Sequence, residues 1–241
     1  MRVLITRPRE DSEAVAAALA ARGVEAMIEP LLEITDRPAG GLDLDRVQAV
    51  LLTSANGARA LARATGRRDL SVLAVGEATA AAAEVAGFRD VEAAGGDVAA
   101  LAELAAAGLE PGAGPVVHVS GSVVAGDLAG RLGALGFTVH RAVLYDTRPV
   151  EALSEAAAAA LSQGAIDAVL LFSPRTAKAF VRLAERAGVA AALGRVRALC
   201  LSANVADEAR AARWRAVCVA ERPESAALYA LIDATARQGR G

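Results

Sequence analysis

Short apolar runs that end in small polar turns, each followed by an alanine-rich stretch with helical spacing, recur along the whole chain. RVLIT (2–6) predicts a strand ending at Thr6-Arg7-Pro8, and a helical pattern follows from about residue 12 to 21. Gly23 closes that helix, as glycine commonly does just past a helix end. Residues 24–28 return as a strand, and PLLEITDRP (30–38) reads as an extended, proline-bounded segment. QAVLLTSANGARALARA (48–64) predicts a strand, a Thr53-Ser54 turn and a helix; SVLAVGEATAAAAEVAG (71–87) repeats this around Gly76. A short strand at 91–94 precedes Gly95-Gly96-Asp97, which caps a helix reaching about Ala107. Continuous apolar strands alternating with helices predict parallel sheets covered on both faces.

The pattern then repeats. PVVHVSGSVVAGDLAGRLGALGFTVHRAVLYDTRP (115–149) returns the opening order of strand, Ser120-Gly121 turn, helix, glycine (Gly136), strand and extended exit. DAVLLFSPRTAKAFVRLAERAG echoes QAVLLTSANGARALARATG, RALCLSANVADEA echoes LAVGEATAAAA, and AERPESAALYAL echoes AAGGDVAALAEL. The order A–B–A′–B′ is a duplication, and it predicts an α/β fold of two similar doubly wound parallel-sheet lobes. The extended stretches at about 30–38 and 142–149 hold equivalent places, and lying antiparallel they would form a two-stranded β linker. In that arrangement residues 1–33 plus 150–241 form a first, discontinuous lobe and residues 39–140 a second. Sequence alone leaves open which A pairs with which B.

Composition narrows the picture. The 241 residues suit two domains at ~100 to 150 residues each. Hydrophobic residues make up 54% and aromatics 3%, so the cores are built from Ala, Val and Leu. No run approaches the ~20 apolar residues that cross a membrane, and MRVLITRPRE reaches charge too soon for a secretion signal. A cytoplasmic protein with no membrane partner is expected. A net charge of −2 argues against a nucleic-acid surface. Cys200 and Cys218 lie in apolar runs and read as core residues. His118 and His140 sit apart in strand-like runs, form no ligand spacing with the cysteines, and make a metal site unexpected. Lys178 is the single lysine and falls inside a predicted helix, where it reads as a solvated surface residue.

In an open parallel sheet, ligands bind beyond the carboxyl ends of the strands, where helix N-termini offer free N–H groups. Those ends are Thr6-Arg7, Thr53-Ser54, Gly76 to Thr79, Ser120-Gly121, Ser173-Pro174-Arg175-Thr176 and Ser202 to Asn204. Each alone is an ordinary helix cap. Together, on facing lobes, they would line a cleft of N–H donors and hydroxyls suited to carboxylates. The segment 142–149, which crosses between the lobes, would run along its floor and carries Tyr145. Familiar cofactor and hydrolase signatures fail. Gly121-Ser-Val-Val-Ala-Gly126 has phosphate-loop spacing, but Asp127-Leu128 follows where Lys-Ser/Thr is needed. No G-x-G-x-x-G follows the first strand and no G-x-S-x-G occurs. A cofactor-free enzyme or a binding protein is left.

The chain resembles the uroporphyrinogen-III synthase family from end to end, in VLITRP (3–8), LLTSANG (51–57), AVGEATA (74–80), VLYDT (143–147), LLFSPRTA (170–177) and ERPESAAL (221–228). The motifs are short, and their order and spacing carry the resemblance. It implies two α/β lobes on a two-stranded linker, the first lobe discontinuous. It also implies closure of hydroxymethylbilane to uroporphyrinogen III, with loss of water and inversion of ring D. In the family's scheme the hydroxyl leaves ring A to give an azafulvene. The substituted α-carbon of ring D attacks to form a spiro-pyrrolenine, which fragments and recloses. Such a substrate closes unaided to the uninverted isomer, so an enzyme gains most by holding geometry.

Carried over by resemblance, Tyr145 matches the linker tyrosine that assists departure of the hydroxyl, a phenol being a hydrogen-bond donor and a weak general acid. Thr79 and Ser173 match hydroxyl residues of the second and first lobes. Ser202-Ala203-Asn204-Val205 departs from a family pattern of glycine and paired threonines, so a hydroxyl role there passes to Ser202 or Asn204. Asn56 stands where relatives can have arginine, which shifts weight to backbone N–H groups. A monomer without cofactor or metal is expected. The competing reading is a non-catalytic two-lobed small-molecule binding or sensor domain. One Trp, four Phe and two Tyr leave such a cleft little to stack sugars on.

Overall fold

The computed structural model describes residues 1–40, 42–124 and 126–238. The chain begins with β1 (Arg2–Ile5), α1 (Arg9–Ala20), β2 (Glu25–Ile28) and β3 (Leu32–Asp36). It continues through β4 (Ala49–Leu52), α2 (Ala55–Ala64), β5 (Ser71–Ala74), α3 (Glu77–Val85), β6 (Asp90–Ala93) and α4 (Val98–Gly108). β7 (Val116–Gly121), α5 (Leu128–Ala134), β8 (Val139–Pro149), α6 (Glu155–Ser162), β9 (Ala168–Leu171) and α7 (Pro174–Arg186) follow. After a 3-10 segment come β10 (Arg197–Cys200), α8 (Ala203–Ala209), β11 (Ala216–Val219) and α9 (Ser225–Gln238).

Two compact units result, Met1–Glu33 with Arg148–Gly241, and Ile34–Thr147; residues 239–241, placed in the first lobe above, lie outside the described residues. Each unit has its own parallel sheet, in the order β11-β10-β9-β1-β2 in the first, while β8-β7-β4-β5-β6 forms the parallel part of the second. Both orders are the same once the duplication is taken into account. A (β1, β2) lies beside B′ (β9–β11), and A′ (β7, β8) beside B (β4–β6). The pairing that sequence left open is thus A with B′ and A′ with B. The chain passes from one unit to the other along β3 and back along β8, which are hydrogen-bonded neighbours. Arg37 N–H donates to Leu144 O and Val150 N–H to Leu31 O, a pairing that runs antiparallel.

The central strands explain themselves. AVLL at 49–52 and AVLL at 168–171 are buried at every position, as a strand covered on both faces must be. In the second unit Val50, Leu52, Val117 and Val119 face α2 and α3, while Ala49, Leu51 and Val116 face α4 and α5. The first unit divides the same way, with Leu4, Val169 and Cys200 toward α6, α7 and α8, and Val3, Ile5 and Leu170 toward α1 and α9. Phe180 and Trp214 stack with centroids 5.7 Å apart inside the first of these layers. Cys200 is buried as expected, and burial foremost pushes its thiol up to about 12. Cys218 is only partly buried, on the outer strand β11.

Two local details differ from the sequence pattern. α1 starts at Arg9, earlier than residue 12, because Pro8 supplies an extended backbone before it and Ser12 is no cap: its hydroxyl donates to Arg7 O at 2.9 Å. Ser120-Gly121 is the end of β7 rather than a turn, since both residues still pair with β8.

Glu29, just past β2, is buried and accepts from Ser154 N–H at 2.7 Å and Ser154 Oγ at 2.6 Å. Ser154 Oγ in turn caps α6 through Ala157 N–H. Glu29→Ala strips two hydrogen bonds to a carboxylate that tie β2 to the start of α6, so it is expected to cost about 2 kcal/mol. A lower urea midpoint at unchanged slope would record it.

Candidate active site

Each sheet reverses its strand order at one place, between β1 and β9 in the first unit and between β4 and β7 in the second. Loops leaving adjacent strands diverge there, and a crevice opens at the carboxyl ends. In the second unit a cavity of about 400 Å³ occupies this position. Thr53, Ser54, Gly121 and Tyr145 line one part of it. Val75, the Gly96-Asp97-Val98 turn that opens α4, and Val123, Val124 and Gly126 of the loop after β7 line the rest.

Tyr145 reaches the cavity because of a bulge. β7 and β8 pair in step from Val116 with Val139 to Ser120 with Val143, after which Gly121 pairs with Tyr145 and Leu144 is the extra residue. The alternation of a strand is broken there, so Ala142, Leu144 and Tyr145 all pack on the α2 and α3 face. The tyrosine is only 6% exposed. Its ring lies against Gly121 so closely that a Cβ at that position would come within 2.7 Å of Cε2.

The phenol oxygen is 2.7 Å from Ser54 Oγ. Ser54 is the N-cap of α2, its Oγ accepting from Gly57 N–H at 3.1 Å. With one lone pair of Ser54 held by the helix, its own proton can go to the phenol oxygen. The phenol proton is then free to donate into the cavity. Thr53, on the other face of the sheet, has Oγ1 3.3 Å from Nε2 of His118. His118 is 5% exposed. Burial foremost, and then the charge of Arg141, its register partner on β8, push it down to about 4. It is a neutral imidazole at physiological pH.

The remaining candidates separate by role. Ser120 is buried and its hydroxyl accepts from Arg141 Nε at 2.9 Å. Thr79 is buried in the first turn of α3. Gly76 caps α3 and packs against Gly96, which lines the cavity. In the first unit Thr6 is buried with its hydroxyl donated to Leu170 O at 2.7 Å, tying β1 to β9 at the switch point. Arg7 is half-buried, paired with Asp11 at 2.9 Å, its guanidinium 4.9 Å from the centre of the Phe172 ring. Ser173 caps α7 through Thr176 N–H, and the two hydroxyls are 2.7 Å apart, which repeats the cap made by Ser54. Thr176 is buried, while Pro174 at the start of α7 and Arg175 are exposed. Ser202 opens α8 without capping it through its side chain, and Asn204 is exposed on the first turn. Thr6, Thr79, Ser120 and Thr176 therefore support their turns from within. Of the candidates, Thr53, Ser54, Gly121 and Tyr145 line the cavity, while in the first unit Ser202 is half-buried and Asn204 exposed.

Sequence reasoning missed the valines at 75, 98, 123 and 124 and the backs of the site, His118 and Arg141. One signal was present: Val123 is 63% and Val124 41% exposed, and adjacent valines in a loop after a strand-ending glycine suit an apolar rim. Among the described residues no group of three or more His, Cys, Asp and Glu is placed to hold a metal, and no helix is long and apolar enough to cross a membrane.

The family model for uroporphyrinogen-III synthase HemD matches residues 13–230. The chain belongs to this family. No curated protein sequence matches the chain. Among solved structures, uroporphyrinogen-III synthetase from Helicobacter pylori superposes with a TM-score of 0.63 at 17% identity, covering 97% of this chain and 99% of that one. A variant of uroporphyrinogen III synthase from the extremely thermophilic bacterium Thermus thermophilus gives 0.56 at 20% identity, over 99% of each chain. These likenesses show that the fold is shared. Membership of the uroporphyrinogen-III synthase family makes the chain a cyclising lyase of porphyrin biosynthesis with a small-molecule substrate.

Proposed function

We propose that the chain closes linear hydroxymethylbilane to uroporphyrinogen III, eliminating water and inverting ring D, with the cavity of the second unit as the reacting centre. The observation that carries this is the Tyr145 phenol, held 2.7 Å from a helix-capping serine at a strand-order switch point. Loss of hydroxide from the hydroxymethyl carbon needs a proton at the leaving oxygen, and the Gly57–Ser54–Tyr145 chain of hydrogen bonds aims one there. Successive donors in such a chain polarise one another. At about 400 Å³ the cavity is at the small end of ligand sites, which suits the reacting end of the bilane rather than four rings. Its valines present an apolar wall to a pyrrole face and keep water from the azafulvene. Asp97 is the carboxylate in the lining, so the substrate's own carboxylates belong at hydroxyl and N–H turns outside the cavity.

The protein is further proposed to act as a cytoplasmic monomer. Cys200 and Cys218 are free thiols on opposite faces of their sheet, which fits a reducing compartment, and light scattering would read the mass directly.

The deciding experiment supplies purified protein with freshly generated hydroxymethylbilane and separates the oxidised type I and type III products. Type III is expected to predominate. Tyr145→Phe keeps the ring and loses the proton donor, so the enzymatic rate should fall about 100-fold or more, on the scale of a lost general acid, and type I should rise. A wild-type protein that yields only type I would defeat the proposal.

A further inference from the structure

The proposed chemistry uses no charged side chain, yet one arginine commits its donors to the rear wall of the cavity. Arg141 Nε donates to Ser120 Oγ at 2.9 Å, and one Nη donates to the carbonyls of Gly121 at 2.8 Å and Ser122 at 3.0 Å. These residues end β7 and begin its loop, where the register with β8 slips. An interrupted ladder leaves backbone groups in need of partners, and a guanidinium, with its donors fixed in one plane, can serve neighbouring acceptors at once. Register puts Arg141 in place: it pairs with His118, and Ser120 follows on the same face of β7 two residues along.

The clamped residues hold Tyr145 twice. Ser122 N–H donates to the Tyr145 carbonyl at 3.0 Å, and Gly121 walls the ring at a distance no Cβ could share. We infer that Arg141 is a positioning residue, fixing the Gly121-Ser122 backbone so that the Tyr145 phenol stays against Ser54 and aimed into the cavity. Its effect on turnover rests on the synthase reading; its effect on the tyrosine does not.

Tyr145 and Tyr229 are the two tyrosines of the chain, so ring-13C-tyrosine NMR with a Tyr145→Phe reference assigns both. Arg141→Met keeps the aliphatic stem and removes the fork. The Tyr145 signals are expected to move while those of Tyr229 stay. Type III formation should fall about tenfold, mostly in kcat, the scale of a slightly misplaced reacting group. In a Tyr145→Phe background the same substitution should cost less than about twofold, because the two residues act through one group. Arg141→Lys, with the charge but not the fork, should fall between, and it carries both readouts if Arg141→Met does not fold. Unmoved Tyr145 signals, or equal losses in both backgrounds, would overturn the inference. A wild-type protein making only type I would overturn the synthase reading instead, and the tyrosine signals would still judge the clamp.

Discussion

Gly121→Ala is expected to lower type III formation by about 100-fold, the scale of a reacting group displaced by an ångström, in a protein that still folds. The alanine Cβ would stand 2.7 Å from Cε2, 3.0 Å from Cζ and 3.2 Å from Cδ2 of Tyr145, whereas carbon atoms rest at ~3.5 to 4.0 Å. The ring must therefore retreat by most of an ångström. Leu52, Val117, Val119 and Leu144 share its core cluster, so the room open to the ring is on the cavity side. Overpacking of this kind costs about 1–3 kcal/mol, and the retreat carries the phenol off Ser54. Gly133→Ala is the control: nothing lies within 4 Å of its added Cβ in α5, and a helical alanine should stabilise by about 0.5–1 kcal/mol. Product isomers and urea midpoints of the two variants, side by side, separate a directed effect on Tyr145 from loss of a glycine. Wild-type amounts of type III from Gly121→Ala would refute the placement of the phenol.

Much of this fold is written in local pattern. The two AVLL runs announce central strands, and the serines at 54 and 173 announce helix starts, because burial on both faces and N-capping each leave a signature within a few residues. The choice of A with B′ and A′ with B is not local, since either pairing satisfies every strand and cap. The site divides the same way. Tyr145, Thr53, Ser54 and Gly121 were legible as residues at strand ends or in the linker. The bulge that skips Leu144 and turns Tyr145 into the cavity was not, because it depends on how β7 and β8 slide past one another. Thr6 and Ser120 stand among residues expected to meet a ligand yet are buried, each being the last inward hydroxyl beside a neighbouring strand or its arginine. Nothing local marks Arg141, because its three acceptors lie about twenty residues earlier in the chain. Long-range register decides these roles, and one sequence does not display it.

Acid should weaken the second unit through His118, by about 3 kcal/mol between pH 6.5 and 4. Above pH 6.5 the imidazole is neutral in both the folded and the unfolded chain, and the full stability is present. As pH falls below 6.5 the unfolded chain takes up a proton, while the folded chain, its histidine pushed down to about 4, does not. Each pH unit in that window therefore transfers stability to the unfolded state, until the folded imidazole protonates as well near pH 4. Burial is the main cause, and the Arg141 guanidinium paired beside it on β8 adds repulsion. Other groups titrate in the same range, so the test is a difference. Urea denaturation of wild-type and His118→Leu proteins from pH 7.5 to 4 should give curves that converge as pH falls, the variant lacking this part of the slope. Parallel curves would mean that His118 titrates normally in the fold. The same proton would act on the cavity wall, since an imidazolium can only donate to Thr53 Oγ1, 3.3 Å away. Loss of type III formation should accompany the loss of stability as pH approaches 4.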